Sequence, residues 1–428
     1  MAEALSPSLL LTRAFALFLV AGIVLRFWLA TRQIRHVAAH RGAVPQRFAK
    51  TVSLAAHQKA ADYTVAKTRV GLIEGALGAA VVLGWTLLGG LDLLNAELLR
   101  LMEPGMGQQL ALVLGFVLIG SLIELPLAGY QTFGLEERFG FNKTSFKLWL
   151  VDLLKSALIG TLIGVPLAAL ILWLMGAAGP LWWLWAWCAW MGLNLLLLMV
   201  YPSFIAPLFN KFKPIDDEDL RARVNALMQR CGFAAKGLFV MDGSKRSAHA
   251  NAYFTGFGAA KRVVFYDTLL ARLSPEEVDA VIAHELGHFK HKHIVKRMAS
   301  MAALSLAGFI LLGWLSTQSW FYTALGVRPQ LLAGAPNDAL ALLLFMLVLP
   351  VFGTFLGPLF AQISRRHEFE ADAYAVAQTS SADLSAALLK LYEDNASTLT
   401  PDPVYVAFHY SHPPASERLE RMASGVPA

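Results

Sequence analysis

Apolar residues dominate this chain in seven long runs, at about 14 to 30, 71 to 90, 109 to 128, 154 to 174, 181 to 201, 299 to 319 and 339 to 360. Each approaches the ~20 residues that a helix needs to cross the hydrocarbon core of a bilayer. The pattern therefore predicts about seven membrane helices. The first run ends through Arg26, Phe27 and Trp28 into a basic stretch instead of a small-residue cleavage site, so it reads as a retained span, not a signal peptide. Two long polar segments remain, about 203 to 298 and 361 to 428. The chain divides accordingly into a membrane region (1–202), a first polar segment (203–298), two further spans (299–360) and a C-terminal segment (361–428).

Loop charges orient the spans. Arg32, Arg35, Arg41, Arg47, Lys50, Lys59, Lys67 and Arg69 follow the first run, and Arg138, Lys143 and Lys147 follow the third. Asp92, Glu97 and Glu103 outweigh Arg100 after the second, and only Arg328 follows the sixth. The positive-inside rule makes the first group cytoplasmic. An odd number of spans then puts the N-terminus outside and both polar segments on the cytoplasmic side, where they can build one site.

Composition agrees with a membrane protein. The 428 residues are 56% hydrophobic and 15% charged, with mean hydropathy +0.52. The net charge of +6 lies in loops between apolar runs, which is a topology signal; no nucleic acid and no obligate protein partner is expected. Two cysteines, Cys188 and Cys231, are too few for a disulfide framework or a cysteine-rich metal site.

Within the first polar segment a charged helix is predicted over 217–230, then strands over 237–241, 251–257 and 261–266, with turns at Asp242-Gly243 and at 256–258. Such a small sheet could hold an extended peptide along an edge, and the strand with Asn251, Ala252, Tyr253 and Phe254 is the candidate. An ordinary meander closing a small core fits the same pattern. Ser274, Pro275 and Glu277 form a capping box with proline at the first helical position. On the helix that follows, His284-Glu285-Leu286-Gly287-His288 is an H-E-x-x-H pattern. The two histidines, four apart, share a face and can grip one Zn²⁺, while Glu285 lies one step round, where it can take a proton from attacking water. A third histidine of the long metzincin type is absent, because positions 291 and 294 hold His and Ile. His291 and His293 read as a solvated face at the membrane surface.

The C-terminal segment offers a candidate third ligand, although an acidic pair after Arg365 and Arg366 also fits a salt-bridged helix face. Helical spacing puts Glu368 and Asp372 on one face, the first to ligate zinc and the second to orient a ligating histidine, with Glu370 pointing elsewhere. Farther on, His412 can donate a hydrogen bond to an oxyanion. The terminal helix carries Glu417, Arg418 and Arg421, of which Arg418 is counted among the substrate contacts.

At this point several stretches resemble the type I CAAX prenyl proteases of the Ste24 kind, within the M48 zinc metallopeptidases. They are residues 130–143 (YQTFGLEERFGFNK), 207–212 (PLFNKF), 244–247 (SKRS) leading to 251–254 (NAYF), the HELGH pattern, 368–372 (EFEAD) and 409–414 (HYSHPP). The resemblance implies that one Zn²⁺ is bound by His284, His288 and Glu368, that Glu285 is the general base and that Asp372 supports a ligand. It further implies that Asn251 and His412 contact substrate or oxyanion, and that seven spans ring a large chamber. Substrates would be peptides or proteins, prenylated or not, met at a lipid membrane.

The expectation is thus a mainly α, multi-pass membrane protein with a small β-sheet and a zinc endopeptidase site on the cytoplasmic side. An HtpX-like quality-control protease would share the chemistry but have fewer spans. A transporter or channel using Glu74 and Glu124 would need no zinc. The alanine-rich, lysine-poor composition points to a bacterial inner membrane over the endoplasmic reticulum.

Overall fold

The computed structural model describes residues 6–233, 237–255, 262–329 and 336–424. Seven helices long and apolar enough to cross a membrane run over Pro7–Ala39, Leu54–Trp85, Met106–Glu136, Phe146–Ala177, Gly179–Phe209, His293–Leu315 and Asp338–Gln378. The first, second and fourth begin at Ser6, Ser53 and Ser145, whose hydroxyls accept the N–H of Leu9, Ala56 and Leu148 and so satisfy a first-turn donor. Most outrun the apolar runs. The first, of 33 residues, is about 50 Å long, against about 30 Å of hydrocarbon. Arg32, Arg35, Lys59, Lys67 and Arg69, expected in a loop, consequently lie on the first two helices. For the same reason the expected boundaries after 202, 298 and 360 each fall within a continuous helical run. Polarity changes along these helices without the helices ending.

Each span packs against the next in chain order, and the seventh returns to the first. In six of the seven no more than 17% of the apolar window is buried, so the ring is a wall one helix thick. Side chains such as Leu17, Leu118 and Leu162, all at least 60% exposed, need a lipid surround. One end of the ring is closed by an apolar cluster to which every span contributes: Phe15, Trp85, Leu112, Leu172, Trp182, Leu312 and Leu340.

The polar segments roof the other end. Strands β1 (Phe212–Pro214), β2 (Gly237–Met241), β3 (Ala252–Thr255) and β4 (Arg262–Tyr266) form one sheet in the order β1-β2-β4-β3, with β2 and β4 parallel and the other pairs antiparallel. β3 is an edge strand, as a peptide-pairing role requires, and Tyr253 sits opposite Val264. Residues 256–258, the expected turn, and the end of the expected strand at 257 lie outside the described residues. Beneath the sheet, Val278, Ile282 and Leu286 of the helix Pro275–Lys290 (hereafter the motif helix) pack with Val224, Leu227, Phe265 and Ala387.

Polar contacts fasten this roof to the ring. The guanidinium of Arg246 donates to both oxygens of Asp152 on the fourth span, at 2.8 and 3.0 Å, and to Asn210 at 3.0 Å. Backbone bonds join Lys143 to Arg246 and Ala248 to Phe141, so two of the stretches singled out in the sequence pair with each other. Tyr63 of the second span donates to Glu136 of the third, which faces His249 at 3.3 Å, and His249 in turn meets Asn395 at 3.1 Å. Arg32 of the first span holds Asp402.

Candidate active site

The capping box forms as its residues require. Ser274 Oγ accepts from the Glu277 N–H and the Glu277 carboxylate accepts from the Ser274 N–H. Past the motif helix, Lys292 adopts a left-handed backbone (φ 56°) that turns the chain directly into the sixth span. The metal-binding pattern is thereby anchored at the edge of the ring.

The decisive packing is between the motif helix and the acidic helix, Gly357–Gln378. A Cβ at Gly287 would lie 2.9 Å from Ala371 Cα and 3.0 Å from its carbonyl oxygen, so the approach needs glycine there. Ala371 is wholly buried. Glu368 and Asp372, three residues before and one after it, are consequently presented to the two histidines.

Donor atoms of His284, His288 and Glu368 lie within 4.8 Å of one another. His284 Nε2 is 3.5 Å from Glu368 Oε2, and His288 Nε2 is 3.5 Å from Glu368 Oε1. The far side of His284 is held by Asp372, with Nδ1 to Oδ1 at 2.9 Å. This fixes the ring with Nε2 turned toward the glutamate. Arg418, 7% exposed, donates through Nε and Nη2 to the two oxygens of Asp372. Its hydrogen bonds go to Asp372, and Nη2 lies 3.4 Å from Nδ1 of His284.

His293 and Glu370 depart from expectation. His293 is 5% exposed, not part of a solvated face, and its Nδ1 lies 2.9 Å from Nδ1 of His288. Its Nε2 is 2.9 Å from Glu370, which Arg366 also grips, and its ring stacks on His367 at 4.0 Å. The turn at Lys292 folds His293 back under the motif helix, a geometry that helical spacing could not foresee. Each histidine of the pair thus has a carboxylate behind it, Asp372 directly and Glu370 through His293.

His412 is exposed, with Nε2 3.4 Å from Glu368 Oε1, on the open side of the cluster. Ala252 packs into the core beneath the sheet, while Tyr253 lies against Tyr266 and its hydroxyl reaches Met241 Sδ at 4.0 Å. Asn251 is exposed, and its side chain accepts from the Ala252 N–H. No hydrogen bond or ion pair joins these three to the histidine pair among the described residues.

Charges are set by surroundings. Burial opposes protonation of His284, but the Asp372 carboxylate on its Nδ1 and the nearby Glu368 carboxylate outweigh it and raise the imidazole to about 9. His288, buried beside that charge and lacking a direct carboxylate partner for Nδ1, falls to about 3. Burial lifts Glu285 above the usual carboxylate range. A cation fits this set: Glu368 Oε2 is buried with no hydrogen-bond partner, and two neutral-capable imidazoles face it.

Two histidines and a glutamate converging on one point, with a second glutamate beside them and a ring of seven membrane helices below, define a membrane-embedded metalloprotease. The comparisons agree. Residues 33–211 match the CAAX prenyl protease N-terminal family, described as five membrane helices, and residues 214–425 match peptidase family M48. A CAAX prenyl protease 1 homolog of Arabidopsis thaliana is 38% identical over 72% of this chain and 72% of its own length. CAAX prenyl protease 1 of Saccharomyces cerevisiae is 37% identical over 70% of this chain and 69% of its own. The crystal structure of S. mikatae Ste24p superposes with a TM-score of 0.90 at 30% identity, covering 98% of this chain and 100% of that one. The chain belongs to the M48 family of membrane zinc metalloproteases, in its CAAX prenyl protease branch.

Two outcomes follow from the ligand geometry. Glu368→Ala should purify without stoichiometric zinc. Glu370→Ala, which loses only the support behind His293, should keep the metal with affinity weakened by about 10- to 100-fold. Equal zinc content in the two variants would contradict the choice of third ligand. Zinc entering the metal-free protein must also displace the proton that His284 carries below about 9. Apparent affinity should therefore climb by about tenfold per pH unit on that account and level off near that value; titration calorimetry in buffers of different ionisation enthalpy would count the proton.

Proposed function

We propose that this chain is an endopeptidase cleaving near the C-termini of peptides, prenylated ones among them, with a single Zn²⁺ held by His284, His288 and Glu368. The observation that carries this reading is the convergence of those three donors beside Glu285 at the mouth of a ring of membrane helices. When bound, the ion acts as a Lewis acid toward water and the scissile carbonyl.

The rest is done by side chains. Glu285 takes the proton of the attacking water and returns it to the leaving amine, a task suited to a carboxyl that burial makes more basic than usual. Asp372 accepts from His284 Nδ1 and keeps Nε2 free for the metal, and Arg418 holds Asp372 in place. His412, on the open side, donates to the developing oxyanion from Nε2. The free edge of β3 pairs with the extended substrate backbone, with Asn251, Ala252 and Tyr253 supplying the contact. Side chains of Ala252 and Tyr253 face the core and the far side of the sheet, so the contact is a main-chain one.

The loop charges support a site on the cytoplasmic face, and the alanine-rich composition supports a bacterial inner membrane. The relatives' names speak of CAAX prenyl proteases. The match to their five-helix N-terminal region favours that substrate class over HtpX-like quality control.

Glu285→Gln should retain zinc while cleavage of a fluorogenic peptide in detergent falls by about 10²- to 10⁴-fold. Full activity in that variant would remove Glu285 from the mechanism. Running the same assay on a farnesylated peptide and its unprenylated twin reads the lipid preference, and equal cleavage of the two would restrict the proposal to peptides generally.

A further inference from the structure

Between the first two spans and the C-terminal segment lies a cavity of about 540 Å³ whose lining includes His412. Its charged lining is unbalanced. Arg26 on the first span and Lys67 on the second line it, against a single acid, Glu74, which already accepts from the Gln131 side chain. No hydrogen bond or ion pair to Arg26 occurs among the described residues, and Lys67 makes only a cation–π contact with Tyr63, 5.7 Å from the ring centroid. An arginine on a membrane span without a counter-ion is costly unless something anionic comes to it. Space has been made for it there. A Cβ at Gly75 would lie 2.7 Å from Arg26 Cδ and 2.8 Å from Nη1, so the guanidinium lies across a glycine of the neighbouring span. Arg26 also lines a second, apolar cavity of about 510 Å³, which puts it where the polar interior meets the apolar one.

We infer that Arg26, assisted by Lys67, is the receptor for the C-terminal carboxylate of the peptide whose scissile bond sits at the His284–His288–Glu368 cluster. The inference rests on the peptidase reading above. A peptide carboxylate is ionised at neutral pH, and the planar guanidinium can meet both of its oxygens at once. The cavity is lined by both Arg26 and His412, and His412 Nε2 lies 3.4 Å from Glu368 Oε1, so a chain gripped by its end at Arg26 can extend toward the cluster. Such a grip makes the enzyme measure from the C-terminus: cleavage sites would be counted back from the free acid, independent of side-chain sequence. A lipid phosphate is the other anion that could reach a span arginine, and the experiment separates the two.

The test is binding to the full-length, zinc-loaded Glu285→Gln protein, using a fluorescent farnesylated peptide with a free C-terminal acid and its carboxamide twin, by anisotropy in neutral-lipid nanodiscs. The acid should bind about 10- to 100-fold tighter, as for a hydrogen-bonded charge pair. Adding Arg26→Gln should abolish that preference by weakening the acid alone, and Arg26→Lys should restore part of it. Equal binding of acid and amide by the starting protein overturns the proposal, as does an Arg26→Gln change that weakens both equally. Repeating the titration in nanodiscs containing phosphatidylglycerol reads the lipid source: an acid preference that vanishes there assigns the site to a headgroup phosphate and overturns the carboxylate assignment. Cleavage of the amide by the unsubstituted enzyme reports on the peptidase reading separately.

Discussion

The approach of two helices at Gly287 and Ala371 is the constraint on which the rest depends. There the two backbones come so close that a single added carbon would collide with main-chain atoms. Everything chemical is a consequence of that distance. Glu368 reaches between His284 and His288, Asp372 reaches behind His284, and Arg418 closes on Asp372 from the terminal helix. If the helices stood a methyl group farther apart, the donors would still point the right way but would no longer converge within 4.8 Å.

That contact joins parts of the chain that the membrane would otherwise keep separate. The motif helix leads into the sixth span and the acidic helix is the continuation of the seventh, so the site is built where two membrane helices leave the apolar zone. Long spans make this possible. Because the helices extend beyond the hydrocarbon thickness, polar chemistry is mounted on the same rigid elements that form the wall, and not on loops hung from it. The bonds from Arg246 to Asp152 and from His249 to Glu136 keep the roof in register with that wall.

Much of this was legible in the residues. Seven apolar runs anticipate the seven spans, the box at Ser274 and Glu277 anticipates the start of the motif helix, and the four-residue spacings at His284 and Glu368 anticipate which atoms meet. What escaped was long-range. His293 looked like part of a wet basic face because nothing local announces the left-handed turn at Lys292 that buries it against His288. Glu370 looked idle because its partner is a histidine 77 positions away in sequence. The closed order of the spans, and the cluster that plugs one end, arise from contacts between residues hundreds of positions apart, which periodicity cannot encode.

The central claim is that one metal is shared by two imidazoles and one carboxylate. X-ray absorption at the zinc edge of the purified, full-length protein tests it most directly. The account predicts one zinc per chain, with two histidine nitrogens near ~2.0–2.1 Å and the remaining ligands oxygen, no sulfur at all, and loss of one oxygen scatterer or of the metal itself in Glu368→Ala. A sulfur shell, three or more imidazoles, or an unchanged spectrum in that variant would contradict it.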